Sequence, residues 1–437
     1  MEKFQMSIDK MEKIVSLCKR RGFIFPNSEI YGGLNAIWDY GPLGVELKRN
    51  IKEIWWENTI KNRANIVGLD SSILMHPKIW KTSGHLDHFS DPLRECKTCH
   101  ERLRADHLEK DNCPLCGGPL TETRSFNTMF KTFIGAVEDS ASEIYLRPET
   151  AQGIYVNFTN VQNTTRMKIP FGIGQIGKAF RNEITTGNFI FRCREFEQME
   201  LEFFTEPDSA HKWFDYWVEE RFNWYLIFGI NESDLRIRAH ENTELAHYSK
   251  ACSDIEYNFP WGWGELEGIA NRGDFDLKAH STGAGKDLTY FDELINKHYT
   301  PWVIEPSCGV DRVILTCLLN AYKEELDDKN NQRIVLKLDP KLSPIKVAIL
   351  PLSKKAPLIE ISKKIYSEIS KDFNCQYDDT QSIGKRYRRQ DEIGTPFCIT
   401  IDFETINDNK VTIRDRDTMK QERISLDSIQ KNLDKIY

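Results

Sequence analysis

The stretch from Gly177 to Phe204, GKAFRNEITTGNFIFRCREFEQMELEFF, concentrates the residues best suited to chemistry. A strand-like run, Ala179-Phe180-Arg181-Asn182-Glu183, leads into a turn signal at Thr185-Thr186-Gly187-Asn188, and a longer aromatic and apolar run comes next. Alternate side chains of a strand share a face, which puts Arg181 and Glu183 together on the first arm. On the return arm Arg192, Arg194, Phe196, Gln198, Glu200 and Glu202 share one face; Met199, Leu201 and Phe203 take the other, which suits a core. The polar face therefore runs from cationic through aromatic to anionic. A guanidinium pair matches phosphate oxygens through its fixed fork, a phenyl ring can hold a purine by stacking, and carboxylates suit an ammonium group. Phe196 to Glu200 spans roughly 13 Å at strand rise, a reach that fits an adenine and an amino acid joined through a phosphate. The same alternation also describes a solvated hairpin laced with cross-strand ion pairs.

Other residues offer chemistry of their own. Cys96-Lys97-Thr98-Cys99 and Cys113-Pro114-Leu115-Cys116 form two CxxC pairs, with Gly117-Gly118 behind the second. Four soft thiolates in two tight turns suit tetrahedral zinc, and a site closed by Cys96, Cys99, Cys113 and Cys116 is structural, with no open position for a catalytic water. Residues 91–124 read as a zinc-stapled insertion whose Arg102, Arg104 and His107 could face RNA or the active site. Arg147, Glu149 and Gln152 cluster at a helix start, where an acidic side chain favours the dipole. Glu265 and Glu267 share a face of the strand-like run Ile255–Arg272; beside a triphosphate they need magnesium between, and otherwise form a solvated edge. Gly172 to Lys178 matches GxGxxG and most of a Walker A loop, but a strand comes next where both motifs need a helix, and Ala179 stands where Walker A needs Ser or Thr. These glycines are expected to permit close backbone packing instead. His240, His247 and His280 lack metal-ligand spacing and read as ordinary histidines. Lys385, Arg386, Arg388 and Arg389, with Tyr387 among them, form an RNA-contact candidate or a basic helix face satisfying Asp391 and Glu392.

The elements that must position these groups come from a chain of 437 residues, 40% hydrophobic and 29% charged, with room for two or three domains. No run approaches a membrane span. Met1–Arg21 lacks a signal peptide's apolar centre and reads as a surface helix. Eleven cysteines without secretory features favour thiols and metal ligation, so a cytoplasmic protein is expected. A net charge of -7 gives no global basic field, and an RNA partner would need local patches. A helix is predicted over about 45–61, followed by a strand Ile73–Pro77. The aromatic-rich helix Asp208–Phe228 reads as core. Ile304–Leu315 reads as a strand end, a glycine turn and a helix start. A polar boundary falls near Glu324–Pro344, and beyond it a compact α/β domain is expected.

In combination, these stretches resemble the class II aminoacyl-tRNA synthetases, and FRNEI…FRCREFEQME resembles in particular the dimeric glycine–tRNA ligase family, over nearly the whole chain from about Gly22. That segment looks like motif 2, the 45–61 helix with its Pro77-ended strand like motif 1, and Ile304–Leu315 with Arg312 like motif 3. The resemblance implies an α+β catalytic domain with a mainly antiparallel sheet (1–90 and 125–338), a small zinc-knuckle insertion (91–124) and a C-terminal α/β anticodon-binding domain (339–437). It implies a homodimer that joins glycine to ATP as glycyl-adenylate and then passes the glycyl group to the 3′ end of tRNA-Gly. Arg181, Arg312 and Glu265 would be catalytic, and Asn182, Glu183, Phe191, Arg192, Phe196, Leu266 and Gly309 would join them around ATP. Arg181 would hold the α-phosphate, Arg192 the γ-phosphate and Glu183 the adenine amino group, while Arg312 would cover the adenine opposite Phe196. Arg104, Glu149, Phe196, Gln198, Glu200, Arg272, Glu305, Ser307 and Gly309 would surround glycine. Magnesium would sit near Glu265 and Glu305. The family usually has leucine where this chain has Thr128, a departure that would loosen packing there. The alternative is a catalytically inactive, synthetase-like nucleic-acid-binding subunit, which should lack the motif arginines.

Overall fold

The computed structural model describes residues 2–435 other than 109, 185, 247, 248 and 327–329, with the backbone alone for residues 2–8 and 107. The expectations for Thr185, for the side chains of His107 and His247, and for the polar stretch 327–329 lie outside the described residues.

Seven strands make the larger sheet: β1 Ile66–Gly68, β2 Phe171–Phe180, β3 Glu195–Thr205, β4 Leu235–Ala239, β5 Ala251–Phe259, β6 Gly262–Gly273 and β7 Trp302–Gly309. Their spatial order is β4-β5-β6-β7-β3-β2-β1. Every neighbouring pair is antiparallel except β1 with β2. One face of β3 buries Met199, Leu201 and Phe203, and Phe203 meets Trp217 of the helix Ala210–Leu226 at 5.4 Å between ring centroids. The tryptophans of that helix are core, as their spacing predicts. The other face of the sheet is left to polar side chains and the site.

The glycine run lies inside β2, so no helix N-terminus stands behind it. Its glycines do admit close packing. A Cβ at Gly172 would stand 2.8 Å from Leu201 Cδ1, one at Gly174 2.8 Å from Ile60 Cδ1, and one at Gly177 would collide with the Arg147 guanidinium.

Four expectations need correction. β2 ends at Phe180, so Arg181–Glu183 lie beyond the ladder, and β3 begins only at Glu195, after Arg192 and Arg194. The strand foreseen at Ile73–Pro77 does not form: Leu74 makes one isolated bridge to Leu146, and Pro77 caps the short helix Lys78–Thr82. The strand that joins the sheet after the helix Pro42–Trp56 is instead β1, a two-apolar-residue signal too weak to read, held by Ile66 and by Gly68 tucked against Trp56. The first helix, Glu2–Arg21, is not merely a surface helix, because Ile14, Leu17 and Cys18 are buried in the main core.

Five strands form the second sheet: β8 Val347–Pro351, β9 Cys375–Tyr377, β10 Phe397–Ile401, β11 Lys410–Asp415 and β12 Gln421–Ser425, ordered β9-β8-β10-β11-β12. The first three run parallel and the rest antiparallel, with the helices Ala356–Ile369 and Ile383–Ile393 between strands. The polar boundary is not an open linker. Tyr322–Leu326 pairs with Gln332–Leu336, and Arg333, fully buried, donates to Asp391, Glu325 and the carbonyl of Arg416. The cysteine-bearing insertion carries its own three-stranded sheet, Ser90–Glu95, Arg102–Arg104 and Arg124–Asn127. Thr128 is buried: its hydroxyl donates to the Phe89 carbonyl at 3.3 Å, and its own carbonyl accepts from the Asn182 N–H at 2.7 Å.

Candidate active site

A cavity of about 360 Å³ opens on the polar face of the large sheet. Arg181, Glu183, Phe191, Arg192, Phe196, Gln198 and Glu200 reach it from β3 and the segments flanking it; Glu265 and Leu266 line it from β6, and Glu305, Ser307, Gly309 and Arg312 from β7 and the helix Val310–Ala321 behind it. Glu149 lines it too. Arg181, Phe196 and Arg312 thus face one space. The register explains the meeting, since Gln198 pairs with Gly309 and Glu200 with Ser307 across β3 and β7.

At the cationic end, the Arg181 guanidinium carbon lies 5.3 Å from the Phe196 ring centroid and 5.3 Å from that of Phe89, and Nε donates to the Pro148 carbonyl at 3.0 Å. Arg312 stacks on Phe191 at 4.4 Å. Its Nε donates to the Phe191 carbonyl (3.1 Å) and Nη1 to the Glu265 carbonyl (2.9 Å), while the Glu265 carboxylate sits 3.2 Å away. Arg312 above all holds the Glu265 carboxyl below its ordinary range.

The anionic end is a knot of buried carboxyls. Ser307 donates to Glu200 at 2.7 Å, Thr150 donates to it as well, and Gln198 Nε2 reaches Ser307 Oγ at 3.3 Å. The Gln198 Oε1 acceptor is buried and has no hydrogen-bond partner among the described residues. Tyr155 donates to Glu202 at 2.5 Å. Arg272 donates to Glu305 at 2.9 Å and to both oxygens of Asp276. Burial, reinforced by Glu149 next to it, raises the Glu200 carboxyl. Burial pushes Glu305 up to about 8 against the pull of Arg272, with Glu200 and Glu149 adding to the rise. Glu149 goes the other way: burial opposes its charge, but His85 at 3.3 Å, Arg272 and Gln152 hold it well below the usual carboxylate range. Closely spaced carboxyls share protons in this manner because like charges cannot all ionise together.

Several expected residues stand elsewhere. Arg272 is buried behind Glu305 and does not line the cavity. Arg104 is held by Asp91 (3.0 Å) and Asp106 (2.7 Å) on the insertion, outside the cavity lining. Asn182 is also outside the lining. Arg194 turns away from its supposed partner Arg192 and donates to the carbonyls of Asn35 and Glu183. Glu265 and Glu267 do not share a face. A β-bulge sets Glu256 opposite Glu265 but Ile255 opposite Glu267, leaving Leu266 as the extra residue. Glu267 is consequently buried with Arg221 (2.7 Å) and Tyr225 (2.7 Å) on the helix side. Glu305 pairs with Ala270, four ladder steps along β6 from Glu265 once the bulge at Leu266 is allowed for, roughly 13 Å at strand rise, which sets the two carboxylates well apart along the sheet. Glu305 is engaged by Arg272 at 2.9 Å and the Glu265 carboxylate by Arg312 at 3.2 Å.

Some residues that complete the cavity carry no motif along the chain. His240, Cys252 and Asp254 line it with ligand atoms within 4.8 Å of one another. Tyr40 donates to Asp311, Lys48 pairs with Glu197 at 2.9 Å, and the Glu197 N–H donates to Asp311 at 3.1 Å, tying the helix Pro42–Trp56, β3 and the helix Val310–Ala321 together. Their signal exists only as scattered polar residues inside apolar runs.

The four cysteine sulfurs all lie within 4.8 Å of one another, with Cys96–Cys116 at 3.4 Å and Cys99–Cys113 at 3.7 Å. A tetrahedron with Zn–S of about 2.3 Å has S–S edges of roughly 3.8 Å, so the donor set fits zinc. The N–H groups of Cys99 and Thr98 point at Cys96 Sγ and pull its thiol down to about 6. Of the four cations proposed for RNA, Arg386 is buried and donates to the carbonyls of Pro351 and Asp378, so it is not a surface contact. Arg389 is pinned by Asp378 and Thr380, and Arg388 stands 3.8 Å from Asp391. Asp391 and Glu392 are satisfied largely from outside that helix, by Arg333 and Arg414 and by Arg21. Lys385 remains exposed.

An antiparallel sheet whose polar face gathers two arginines, a stacking ring and a carboxylate floor, followed by a separate α/β domain, defines a class II aminoacyl-tRNA synthetase. Residues 132–322 match the family described as "tRNA synthetase class II core domain (G, H, P, S and T)", and residues 346–436 match "Anticodon binding domain". The chain is 55% identical to the glycine–tRNA ligase of Caldanaerobacter subterraneus subsp. tengcongensis over 97% of its own length and 98% of that protein, 56% identical to that of Acetivibrio thermocellus over 96% of each, and 53% identical to that of Streptomyces coelicolor over 97% and 98%. The chain belongs to the glycine–tRNA ligase family.

Proposed function

We propose that this chain, an ATP-dependent aminoacyl-tRNA ligase, carries out glycine activation and transfer with its cavity residues dividing the work between nucleotide and amino acid. The glycine carboxylate attacks the α-phosphorus of ATP. That carboxylate is already a nucleophile, so the first step needs alignment and charge neutralisation rather than a base. Arg181 holds the α-phosphate, Arg192 the γ-phosphate and Glu183 the adenine amino group. Phe196, under the Arg181 guanidinium, and Phe191, under Arg312, give the base its two aromatic neighbours. Class II synthetases use magnesium with ATP; bound here it would offset charge on the pyrophosphate, and Glu265 on the cavity lining would hold it.

The single observation that carries the glycine assignment is the Gln198 Oε1 acceptor, without a partner among the described residues and buried beside Glu200, Glu149 and Ser307 at the floor of the cavity. An ammonium group supplies the donor that this acceptor lacks and a positive charge for the carboxylates beside it. Glycine offers no side chain to grip, so selection rests on those ammonium contacts and on exclusion at the α-carbon. Arg272 serves from behind by fixing Glu305. Arg181 and Arg312 in one cavity argue for chemistry over an inactive, synthetase-like subunit.

The remaining organisation accords with the same reading: residues 1–90 and 125–338 as the catalytic domain, 91–124 as a structural zinc insertion, and 339–437 as the anticodon-reading domain of a homodimer in the cytoplasm. No helix among the described residues is long and apolar enough to cross a membrane. Amino-acid-dependent exchange of pyrophosphate into ATP, run with each amino acid in turn, tests the proposal. Exchange with glycine alone is expected, and exchange that ignores glycine would sink it.

A further inference from the structure

The transfer step asks for something the activation step does not. A ribose hydroxyl must give up its proton as its oxygen bonds to the glycyl carbonyl carbon. The buried carboxyls are committed to the ammonium pocket. Across the cavity stands an imidazole: His240 Nε2 lies 2.8 Å from Asp254 Oδ2, and Arg238 Nη2 lies 3.3 Å from each of these two atoms. The His240 N–H donates to the Cys252 carbonyl at 2.9 Å, which fixes the residue at the end of β4. Its Nδ1 makes no hydrogen bond among the described residues.

The sheet register says where this pair stands relative to glycine. Asp254 is opposite Gly268, Gly268 opposite Ser307, and Ser307 opposite Glu200, in one row across four strands. At about 4.8 Å per strand, Asp254 is roughly 10 Å from Ser307. The position between is a glycine. A Cβ there would be in ordinary contact with Glu265 Oε1 at 3.7 Å and Asp254 Oδ1 at 3.8 Å, so the row between the ammonium pocket and the histidine carries no side chain of its own at this point and is flanked by two carboxylates. That gap suits the reacting carbonyl and an incoming ribose.

We propose that His240, oriented by Asp254, takes the proton of the tRNA terminal ribose hydroxyl in the transfer step, an inference that rests on the synthetase reading above. The hydroxyl oxygen forms the ester bond to the glycyl carbon while its proton passes to Nδ1. The bond from that carbon to the phosphate oxygen then breaks, AMP leaves with the electron pair, and the imidazolium returns its proton to solvent. His240 is the catalytic residue of this step and Asp254 its positioning residue. Cys252, although close, has no part in it.

The test separates the half-reactions on the full chain. Transfer is read in a single turnover from preformed enzyme-bound glycyl-adenylate to tRNA-Gly, and activation by glycine-dependent pyrophosphate exchange. His240→Asn is expected to slow transfer by about 10²-fold, while exchange changes by less than about threefold. Glycyl-adenylate should then accumulate on the enzyme. Asp254→Asn should slow transfer by about tenfold with KM for glycine and ATP nearly constant, and Cys252→Ser should slow it by less than about threefold. Equal losses in both half-reactions, or transfer untouched in His240→Asn, would overturn the proposal. So would a Cys252→Ser variant as slow as His240→Asn, which would point to a metal held by the three side chains. Wild-type protein without glycine-dependent exchange would count against the synthetase reading itself, a separate failure.

Discussion

Glu200, Glu202 and Glu305 bring three carboxyl oxygens within 4.8 Å of one another in a buried pocket, an arrangement that keeps protons until a cation arrives. With Glu305 raised to about 8 and Glu200 raised as well, the free site is partly protonated near neutrality, and on the proposed reading the ammonium of glycine binds the ionised form. Raising the pH through 8 removes those protons, so KM for glycine should fall as pH rises through about 8. Glycine binding at neutral pH should release protons, which calorimetry in buffers of different ionisation enthalpy would detect; uptake of protons would contradict this account. Glu200→Ala removes the acceptor for Ser307 and Thr150 along with the proposed ammonium contact. It should abolish glycine activation, a loss of about 10²-fold or more in kcat/KM for exchange, with the far-UV spectrum unchanged. An unchanged exchange rate would remove Glu200 from the mechanism.

At the scale of the element, the bulge in β6 decides what two glutamates do. By strict alternation Glu265 and Glu267 would serve the same surface. The extra residue Leu266 instead leaves Glu265 in the cavity and drives Glu267 into the core beside Arg221. Removing one partner of such a buried pair strands the other charge, so Glu267→Ala should cost about 3–5 kcal/mol of unfolding free energy. Glu265→Ala, whose carboxylate is half exposed, should change stability by less than about 0.5 kcal/mol and raise KM for ATP instead. Urea unfolding and exchange kinetics on the two variants check this contrast. β2 shows the same logic in glycine: its bare positions are where Ile60, Leu201 and Arg147 press on the strand.

At the scale of the whole molecule, the helix Ile383–Ile393 is a junction as much as an RNA candidate. Its Asp391 is fully buried and gathers Arg333 and Arg414, while its Glu392 takes Arg21 from the first helix. Arg386→Ala should therefore lower Tm, whereas Lys385→Glu should raise KM for tRNA-Gly and leave pyrophosphate exchange alone. A melting temperature indifferent to Arg386 would deny it the anchoring role. The insertion makes a second claim at this scale. One zinc per chain is expected by elemental analysis, and Cys113→Ser should lose it and with it the protection of residues 91–124 from proteolysis.

Motif 2, motif 3 with Arg312, the cysteine quartet and the α/β character of the C-terminal domain were all legible in the chain, because each depends on residue type at short spacing or on a period of alternation. The false P-loop could be dismissed for the same reason: a strand rather than a helix behind the glycines is visible in the residues next to them. Tertiary structure decided the matters that spacing could not carry. Which glutamate faces the cavity depends on one unpaired residue in β6. Whether Arg386 is surface or anchor depends on the carbonyls of Pro351 and Asp378, and the strand beside β2 is chosen by Gly68 fitting against Trp56 rather than by the stronger apolar run at 73–77. His240 meets Asp254 only because two antiparallel strands share a register, and no distance along the chain encodes that.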